Sequence, residues 1–339
     1  MPKEYKIGGI WFTLLLSLLS LYLIFQVVVK VPLRESLTGL NPFFIGVGFL
    51  ALFLIWLSKA YRMYSIGIGM GFKVKLFFYF QMYLATCFIS HVTPFNSGGT
   101  PLQIYLLHKK GVTLGKAAAL TVVDLGLNTA MFMILVPAAL LTNIGRLKNF
   151  RWHGSNFLSY FWLMGVALFG IVLWLVFRYS GVWARLKSWS WVLKIYRYLK
   201  GKEWRKHLMH EWALFKEGWL LLVHDNPVSI IRAVGATVVY WFFYLLLAPL
   251  VLWSMGKPVS FESTIGLQLL FNFGQIFIPT PGGSGGSELL LLYMFKPLTG
   301  HARAGTFVLL WKMYTFFSTL IAGGFFFWRL TGKRLNKKA

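Results

Sequence analysis

Three ionisable residues lie in or beside apolar segments, where a charge is costly and usually functional. Asp124 is in the middle of the apolar run 114–142, and Lys312 is in the middle of the run 304–328. We expect a pseudo-two-fold arrangement to bring Asp124 and Lys312 together, either as a structural ion pair or as a coupling or gating group. Glu288 follows a glycine-rich motif in the first turn of a short helix. It is either a favourable helix-terminal charge or a contact to a cationic headgroup or a proton.

Two glycine-rich motifs adjoin apolar segments: TPFNSGGTPLQIYLL begins at Thr93, and TPGGSGGSELLLLYM begins at Thr280. A turn inside a bilayer must be enclosed by protein or line a wet cavity, because lipid cannot bond its backbone groups. Glycine permits tight turns, proline biases the preceding threonine away from helix, and Ser or Thr can cap the next helix. Helix N-termini after each glycine pair would suit an anion such as phosphate. The candidate residues of the motifs are Ser97, Gly98, Gly99, Ser284, Gly285 and Gly286.

Other polar residues lie where they could line a path for a headgroup. Arg303 and Lys116 begin their helices from opposite faces and act either as interfacial anchors or as receivers of lipid phosphate. The remaining candidates, whose alternative role is hydrogen bonding between helices, are Asn128, Gln268, Asn272 and Gln275.

The two motifs belong to an internal repeat with an offset of 187 residues. The matched pairs are Gln81 with Gln268, Thr93 with Thr280, Pro94 with Pro281, Ser97 with Ser284, Gly98 with Gly285, Gly99 with Gly286 and Lys116 with Arg303. Near this offset, Asn-Pro begins a helix in each half. The pattern predicts two inverted-topology repeats, roughly 1–142 and 157–330, an arrangement that recurs in secondary transporters.

The composition is that of a polytopic membrane protein: of 339 residues, 57% are hydrophobic and 13% charged. The mean hydropathy is +0.65. Six segments can span a bilayer; they are 9–29, 41–58, 114–142, 157–177, 227–253 and 304–328. Segments 76–92 and 264–279 run into the motifs, and the apolar pieces Leu102–Leu107 and Leu289–Phe295 that follow are too short to cross.

Basic residues predict the orientation. The net charge is +25, which we attribute to the membrane surface, since no nucleic-acid module is recognisable. The basic segments expected on the cytoplasmic side are the loop 59–75, the amphipathic stretch 178–226 and the tail 331–339. The segment 143–156 is predicted to be an external loop, and the N-terminus an uncleaved first helix. Both termini are then cytoplasmic in the cell membrane.

This orientation is consistent only if the motifs belong to re-entrant hairpins, near 76–108 from the cytoplasm and near 264–296 from outside. The predicted fold is therefore an all-α polytopic protein with about six full spans, two re-entrant hairpins and inverted-topology repeats.

The motif pair resembles the flippase-like family named after the transmembrane region of lysylphosphatidylglycerol synthetases, over roughly 10–330. The second motif, Pro-Gly-Gly and then Gly before Glu288, is the more specific half. The resemblance implies transport of lipids, such as aminoacylated phosphatidylglycerol or polyprenyl-linked lipids, between leaflets. The chain ends at Ala339, after the last helix, so the synthetase activity of bifunctional members is not expected.

The leading hypothesis is a lipid flippase, and the alternatives are a membrane-embedded lipid-modifying transferase and a secondary transporter of a small anion. No P-loop, HExxH or metal-ligand spacing occurs, and Cys87 is the single cysteine. No cofactor or metal is predicted. The expected partners are an anionic or aminoacylated membrane lipid, a second copy of the chain and a separate lipid-synthesising enzyme, with no nucleic acid.

Overall fold

The computed structural model describes residues 37–149 and 202–332, apart from four isolated earlier positions, with side chains over 37–136 and 209–332. The expected spans 9–29 and 157–177 and the tail after residue 332 lie outside these ranges. The chain divides into two units, 1–143 with 214–339, and 144–213. The second unit is described at 144–149 and 202–213, which are helical. The site discussed below belongs to the first unit.

The described residues form nine helices without strands. They are α1 (Pro42–Gly69), α2 (Leu76–Val92), α3 (Gly99–Lys109), α4 (Leu114–Asn149), α5 (Lys202–Leu220), α6 (Pro227–Ser254), α7 (Phe261–Gln275), α8 (Gly286–Thr299) and α9 (His301–Thr331). A π-helical turn, Met313–Phe317, interrupts α9, and another, Leu221–Asp225, follows α5. Helix α4 continues to Asn149, so the first part of the expected loop 143–156 is helical.

Four of these helices are long and apolar enough to cross a membrane: α1, residues Leu114–Val136 of α4, α6 and α9. They coincide with four of the six predicted spans. Helix α1 is longer than the predicted span 41–58, because it extends to Gly69. Lys59 and Arg62, which the charge pattern placed in a cytoplasmic loop, therefore lie within a membrane-spanning helix. The prediction that a loop begins at residue 59 was wrong, because a paired charge does not end a helix.

The repeat seen in the sequence is also a repeat of secondary structure. A short 3₁₀ turn precedes α3 and another precedes α8; we call Pro94–Asn96 tip 1 and Pro281–Gly283 tip 2. The tips, the starts of α3 and α8, and the starts of α4 and α9 share the offset of 187. Helices α1 and α6 each have 28 residues and begin with Asn-Pro, at an offset of 185.

Helices α1 and α6, which are equivalent in the repeat, pack against each other in antiparallel orientation. The backbone N–H of Asn41 donates to the carbonyl of Ser254 (2.7 Å), and the side-chain amide of Asn226 donates to the carbonyl of Gly69 (3.1 Å). Each helix start thus satisfies a terminal carbonyl of the other helix, which would otherwise lack a partner. The antiparallel pairing is the geometry that inverted repeats require, and it supports that interpretation.

Helices α2 and α3 form a hairpin that folds back at tip 1. The Nζ of Lys110, just after α3, lies 5.0 Å from the centroid of the Phe78 ring near the start of α2. Lys109 donates to the carbonyl of Leu330, so the hairpin ends beside the C-terminus of α9. A buried apolar cluster that includes Met70, Phe78, Leu107 and Leu222 joins this end of the molecule to the adjoining ends of α1 and α6.

Close contact between α2 and α9 depends on Gly323. A Cβ at this position would lie 2.3 Å from the carbonyl oxygen of Leu84 and 2.9 Å from the Cβ of Phe88. Small residues at helix interfaces in membranes permit this approach.

We expect Gly323→Ala to destabilise the protein by about 1–3 kcal/mol, since the added methyl group meets backbone that cannot move aside freely. Thermal unfolding of the purified protein in neutral detergent measures the effect. Gly235→Ala in α6 is the matched control, because a Cβ there meets nothing within 4 Å. Equal midpoints for the two variants would contradict the described packing.

Candidate functional site

The two tips share one backbone conformation although their sequences differ. Thr93 and Thr280 are extended because each precedes a proline. Phe95 and Asn96 of tip 1 then take positive φ angles of 53° and 54°. Gly282 and Gly283 of tip 2 take the equivalent angles of 61° and 68°. The left-handed turn is therefore free of side-chain strain in tip 2 and strained in tip 1.

Tip 2 contacts tip 1 and the end of α2; Gly282 and Gly283 are buried, whereas Pro94, Phe95 and Asn96 are exposed. A Cβ on Gly282 would lie 3.0 Å from the carbonyl oxygen of His91, at the end of α2, and 2.6 Å from the Phe316 ring of α9. Glycine is thus required at this position for two reasons, its backbone angle and the lack of space. The result is that the two motifs, 187 residues apart in sequence, are brought to one place.

A threonine side chain forms a hydrogen bond at each tip, and Oγ of Ser97 also donates to the carbonyl of Pro94 in tip 1 (2.9 Å). The N–H of Gly98 donates to Oγ1 of Thr93 (2.9 Å), and Oγ1 of Thr280 donates to the carbonyl of Ser284 (2.8 Å). Helices α3 and α8 begin at Gly99 and Gly286, with Gly98 and Gly285 as N-caps and no side-chain cap. The expectation that Ser or Thr caps these helices was therefore wrong. The serines differ, since Ser97 is exposed and Ser284 is buried without a hydrogen-bond partner for Oγ.

Glu288 and Lys312 form a buried ion pair directly after tip 2. The Nζ of Lys312 is 3.0 Å from Oε1 of Glu288 and donates to Oγ of Ser287 (2.8 Å), which in turn donates to Oε2 of Glu288 (3.0 Å). Glu288 is fully buried and Lys312 is 3% exposed. Glu288 also lies in the first turn of α8, where the helix dipole favours a negative charge.

An aromatic contact links this ion pair to the end of α2. Nζ of Lys312 is 5.0 Å from the centroid of the Phe316 ring, and the ring of His91 packs on the same phenylalanine at 5.1 Å. Nε2 of His91 lies 3.1 Å from Oγ1 of Thr319. Phe316 belongs to the π-helical turn that follows Lys312, a local irregularity often found at functional sites. Sequence analysis did not identify Phe316 or Thr319.

Asp124 is not paired with Lys312, contrary to the sequence-based expectation. It contacts Nζ of Lys59 (2.8 Å) and Nε of Arg62 (2.7 Å) on α1 instead. The pseudo-two-fold relation explains the error, because the position equivalent to Asp124 is Trp311, which packs edge-on against Tyr244, the equivalent of Lys59. The two halves thus use the same helix–helix contact, ionic in one half and aromatic in the other.

The remaining candidates have mainly structural contacts. Gln268 donates to the carbonyl of Leu245 (2.7 Å), which Pro249 leaves without its helical donor. The hydroxyl of Tyr244 donates to Asn272 (2.6 Å). The amide of Gln275 lies beside Gly283 of tip 2.

Three predicted residues lie away from the tips. Arg303 donates to the carbonyl of Met255 at the end of α6 (2.6 Å), and Lys116 forms a partly exposed ion pair with Glu217 (2.7 Å). Asn128 is half-buried in α4. The structure therefore brings together the two motifs, Glu288 and Lys312, and separates Asp124, Asn128, Lys116 and Arg303 from them.

Apolar spans, an internal repeat and buried charges define a polytopic helical membrane protein with a polar site in its interior. Residues 10–323 match the family described as the lysylphosphatidylglycerol synthase TM region, and the chain belongs to this family. It is also similar to a UPF0104 membrane protein of Archaeoglobus fulgidus, with 22% identity over 278 residues that cover 82% of this chain and 83% of the relative. No solved structure matches the chain significantly.

We expect Lys312→Met to destabilise the protein by about 3–5 kcal/mol, since it leaves the Glu288 carboxylate buried and unpaired. The double variant Glu288→Gln/Lys312→Met removes both charges and should be more stable than Lys312→Met alone. Thermal or denaturant unfolding in detergent gives the coupling energy of the pair.

The control is the pair Lys116 and Glu217, which has a similar distance but greater exposure. The corresponding cycle should yield a coupling below about 1 kcal/mol. Equal coupling energies in the two cycles would show that burial does not strengthen the Glu288–Lys312 pair.

Proposed function

We propose that the protein is a flippase that moves a phospholipid or lipid-linked headgroup between the leaflets of the cytoplasmic membrane. The observation that carries the proposal is the meeting of the two tips, one from each glycine-rich motif, beside a buried carboxylate and ammonium. The family match supports a role in lipid metabolism or transport. The membrane location of the hairpins and the cytoplasmic position of both termini are part of the proposal.

The pair Glu288–Lys312 has the charges that a headgroup requires. A phosphate can replace Glu288 as the partner of Lys312, and an ammonium group of an aminoacylated lipid can replace Lys312 as the partner of Glu288. Because both protein charges are buried and paired at rest, a headgroup that carries a phosphate and an ammonium group keeps every charge compensated during passage. Ser287, which bonds both groups, holds them in position.

The outer surface of α9 suits the acyl chains. Ile321, Phe325 and Trp328 are between 63% and 76% exposed, and they are large and apolar. In a bilayer these side chains face lipid, so the chains of a substrate can remain in hydrocarbon while its headgroup follows the polar interior. Rocking of the two antiparallel repeats around the tips then gives alternating access.

Reconstituted protein should accelerate the exchange of fluorescent phosphatidylglycerol between leaflets, measured by the fraction that an external reductant quenches. The variant Glu288→Gln/Lys312→Met should lose most of this activity while it remains folded, because the headgroup no longer finds charged partners. Gly235→Ala is the control for reconstitution. Rates equal to those of empty liposomes over a panel of anionic, zwitterionic and aminoacylated lipids would contradict the proposal, as would uptake of a soluble anion without lipid exchange.

The re-entrant topology gives a separate prediction. In a Cys87→Ser background, cysteines at Lys75 and Lys110 should react with an impermeant thiol reagent from one side of the membrane, since α2 and α3 return to the side from which they start. Cysteines at Ser260 and His301 should react from the other side. All four positions are exposed. Labelling of Lys75 and Lys110 from opposite sides would contradict the hairpin and the inverted repeat.

A further inference from the structure

The cluster Lys59, Arg62 and Asp124 carries an unbalanced charge in the interior of the protein. Arg62 is fully buried, Asp124 is 2% exposed, and Lys59 is 13% exposed. Two cations face one carboxylate. Within residues 37–136 and 209–332, where side chains are described, Asp124 is the acid at ion-pair distance from either cation. The cluster therefore has a net charge of about +1 where an uncompensated charge is costly.

Arg62 also has a donor without an acceptor. Its Nε donates to Oδ1 of Asp124 (2.7 Å), and its Nη1 donates to Oγ1 of Thr237 on α6 (3.4 Å). Its Nη2 is buried and has no hydrogen-bond partner. A guanidinium offers a planar fork to carboxylates and phosphates, and Asp124 occupies only the edge at Nε.

The surroundings of Arg62 hold the guanidinium in a fixed position. The ring of Tyr240 stacks on it at 5.6 Å from the ring centroid, and Thr237 fixes one amino group. Both residues lie on α6, whereas Asp124 lies on α4 and Lys59 on α1. Three helices of the two repeats thus meet at this cluster. Lys59 is the most exposed member of the cluster.

We propose that Lys59 and Arg62 form a binding site for a phosphate group, which balances the extra positive charge and accepts a hydrogen bond from Nη2 of Arg62. The inference deepens the proposed function and rests on it for the lipid identity of the ligand; the shared chemistry is a phosphate monoester or diester, free or in a headgroup. The site lies about two turns from the end of α1 at Gly69. It is distinct from Glu288–Lys312 and would receive the phosphate before or after that pair does.

In the alternative, purely structural role, Lys59 is a second ion-pair partner that holds Asp124 in place. The two roles predict different results when one cation is removed. Arg62→Gln or Lys59→Met leaves one cation with one carboxylate, a neutral pair, so each variant should fold. If the role is structural, each variant loses stability but no affinity for a ligand. If the cluster binds phosphate, each variant loses affinity for the ligand.

The test is isothermal titration of purified protein in neutral detergent with two probes, inorganic phosphate and short-chain phosphatidylglycerol. Short-chain diacylglycerol, which lacks the phosphate, is the uncharged control. We expect phosphatidylglycerol to bind, and Arg62→Gln and Lys59→Met each to weaken its binding by roughly tenfold or more, the effect of one charge-assisted hydrogen bond or ion pair. Arg62→Lys should retain part of the affinity. Arg232→Gln, which removes an exposed arginine of α6, should leave it unchanged.

Weakened binding of phosphatidylglycerol alone would identify a headgroup site, and weakened binding of both probes a site that also accepts free phosphate. Unchanged affinity in both Arg62→Gln and Lys59→Met would overturn the inference, as would binding of diacylglycerol equal to that of phosphatidylglycerol. The test is independent of transport. Binding that depends on Arg62, without lipid exchange in liposomes, would refute the proposed flippase and leave this site. Lipid exchange in liposomes, with affinity unchanged in Arg62→Gln and Lys59→Met, would refute this site and leave the proposed flippase.

Discussion

The structure depends on one constraint: lipid offers no hydrogen-bond partner, so polar and charged groups in a membrane interior bond mainly to one another. Gln268 donates to the carbonyl that Pro249 leaves without its helical donor, Asn226 donates to the carbonyl of Gly69 at the end of α1, and Lys312 bonds Glu288 and Ser287. These contacts connect helices far apart in sequence. Since lipid offers no competing partner, each such bond also fixes which helices are neighbours.

The constraint explains why the two halves can share a backbone without sharing their chemistry. The contact between α1 and α4 is an ion pair of Lys59 and Asp124, and the equivalent contact between α6 and α9 is an aromatic pair of Tyr244 and Trp311. Either pair holds its two helices together, so the helices keep the same arrangement. Charge can therefore be concentrated at two places, around Asp124 and around Glu288, without disturbing the repeat.

Sequence patterns predicted much of this architecture because they report on periodicity and composition. Four spans, the helical pieces beside the motifs and the starts of α3 and α8 follow directly from apolar runs and glycine pairs. The end of α1 was missed because Lys59 was taken as the start of a loop, although the apolar pattern continues to a glycine near residue 71. As a consequence, Asp124, the partner of Lys59, was predicted to pair with Lys312. Long-range pairing depends on which helix faces are adjacent, and a single sequence does not contain that information.

The tips differ in one property, the backbone strain that each of them holds. Tip 1 holds Phe95 in a left-handed conformation that costs about 1–2 kcal/mol and Asn96 in one that asparagine tolerates better, whereas glycines take the same angles in tip 2 without this cost. Motion at tip 1 can release strain, and motion at tip 2 cannot. The two halves of the repeat therefore differ in stored energy although they share a backbone, and the difference lies in a turn of two residues.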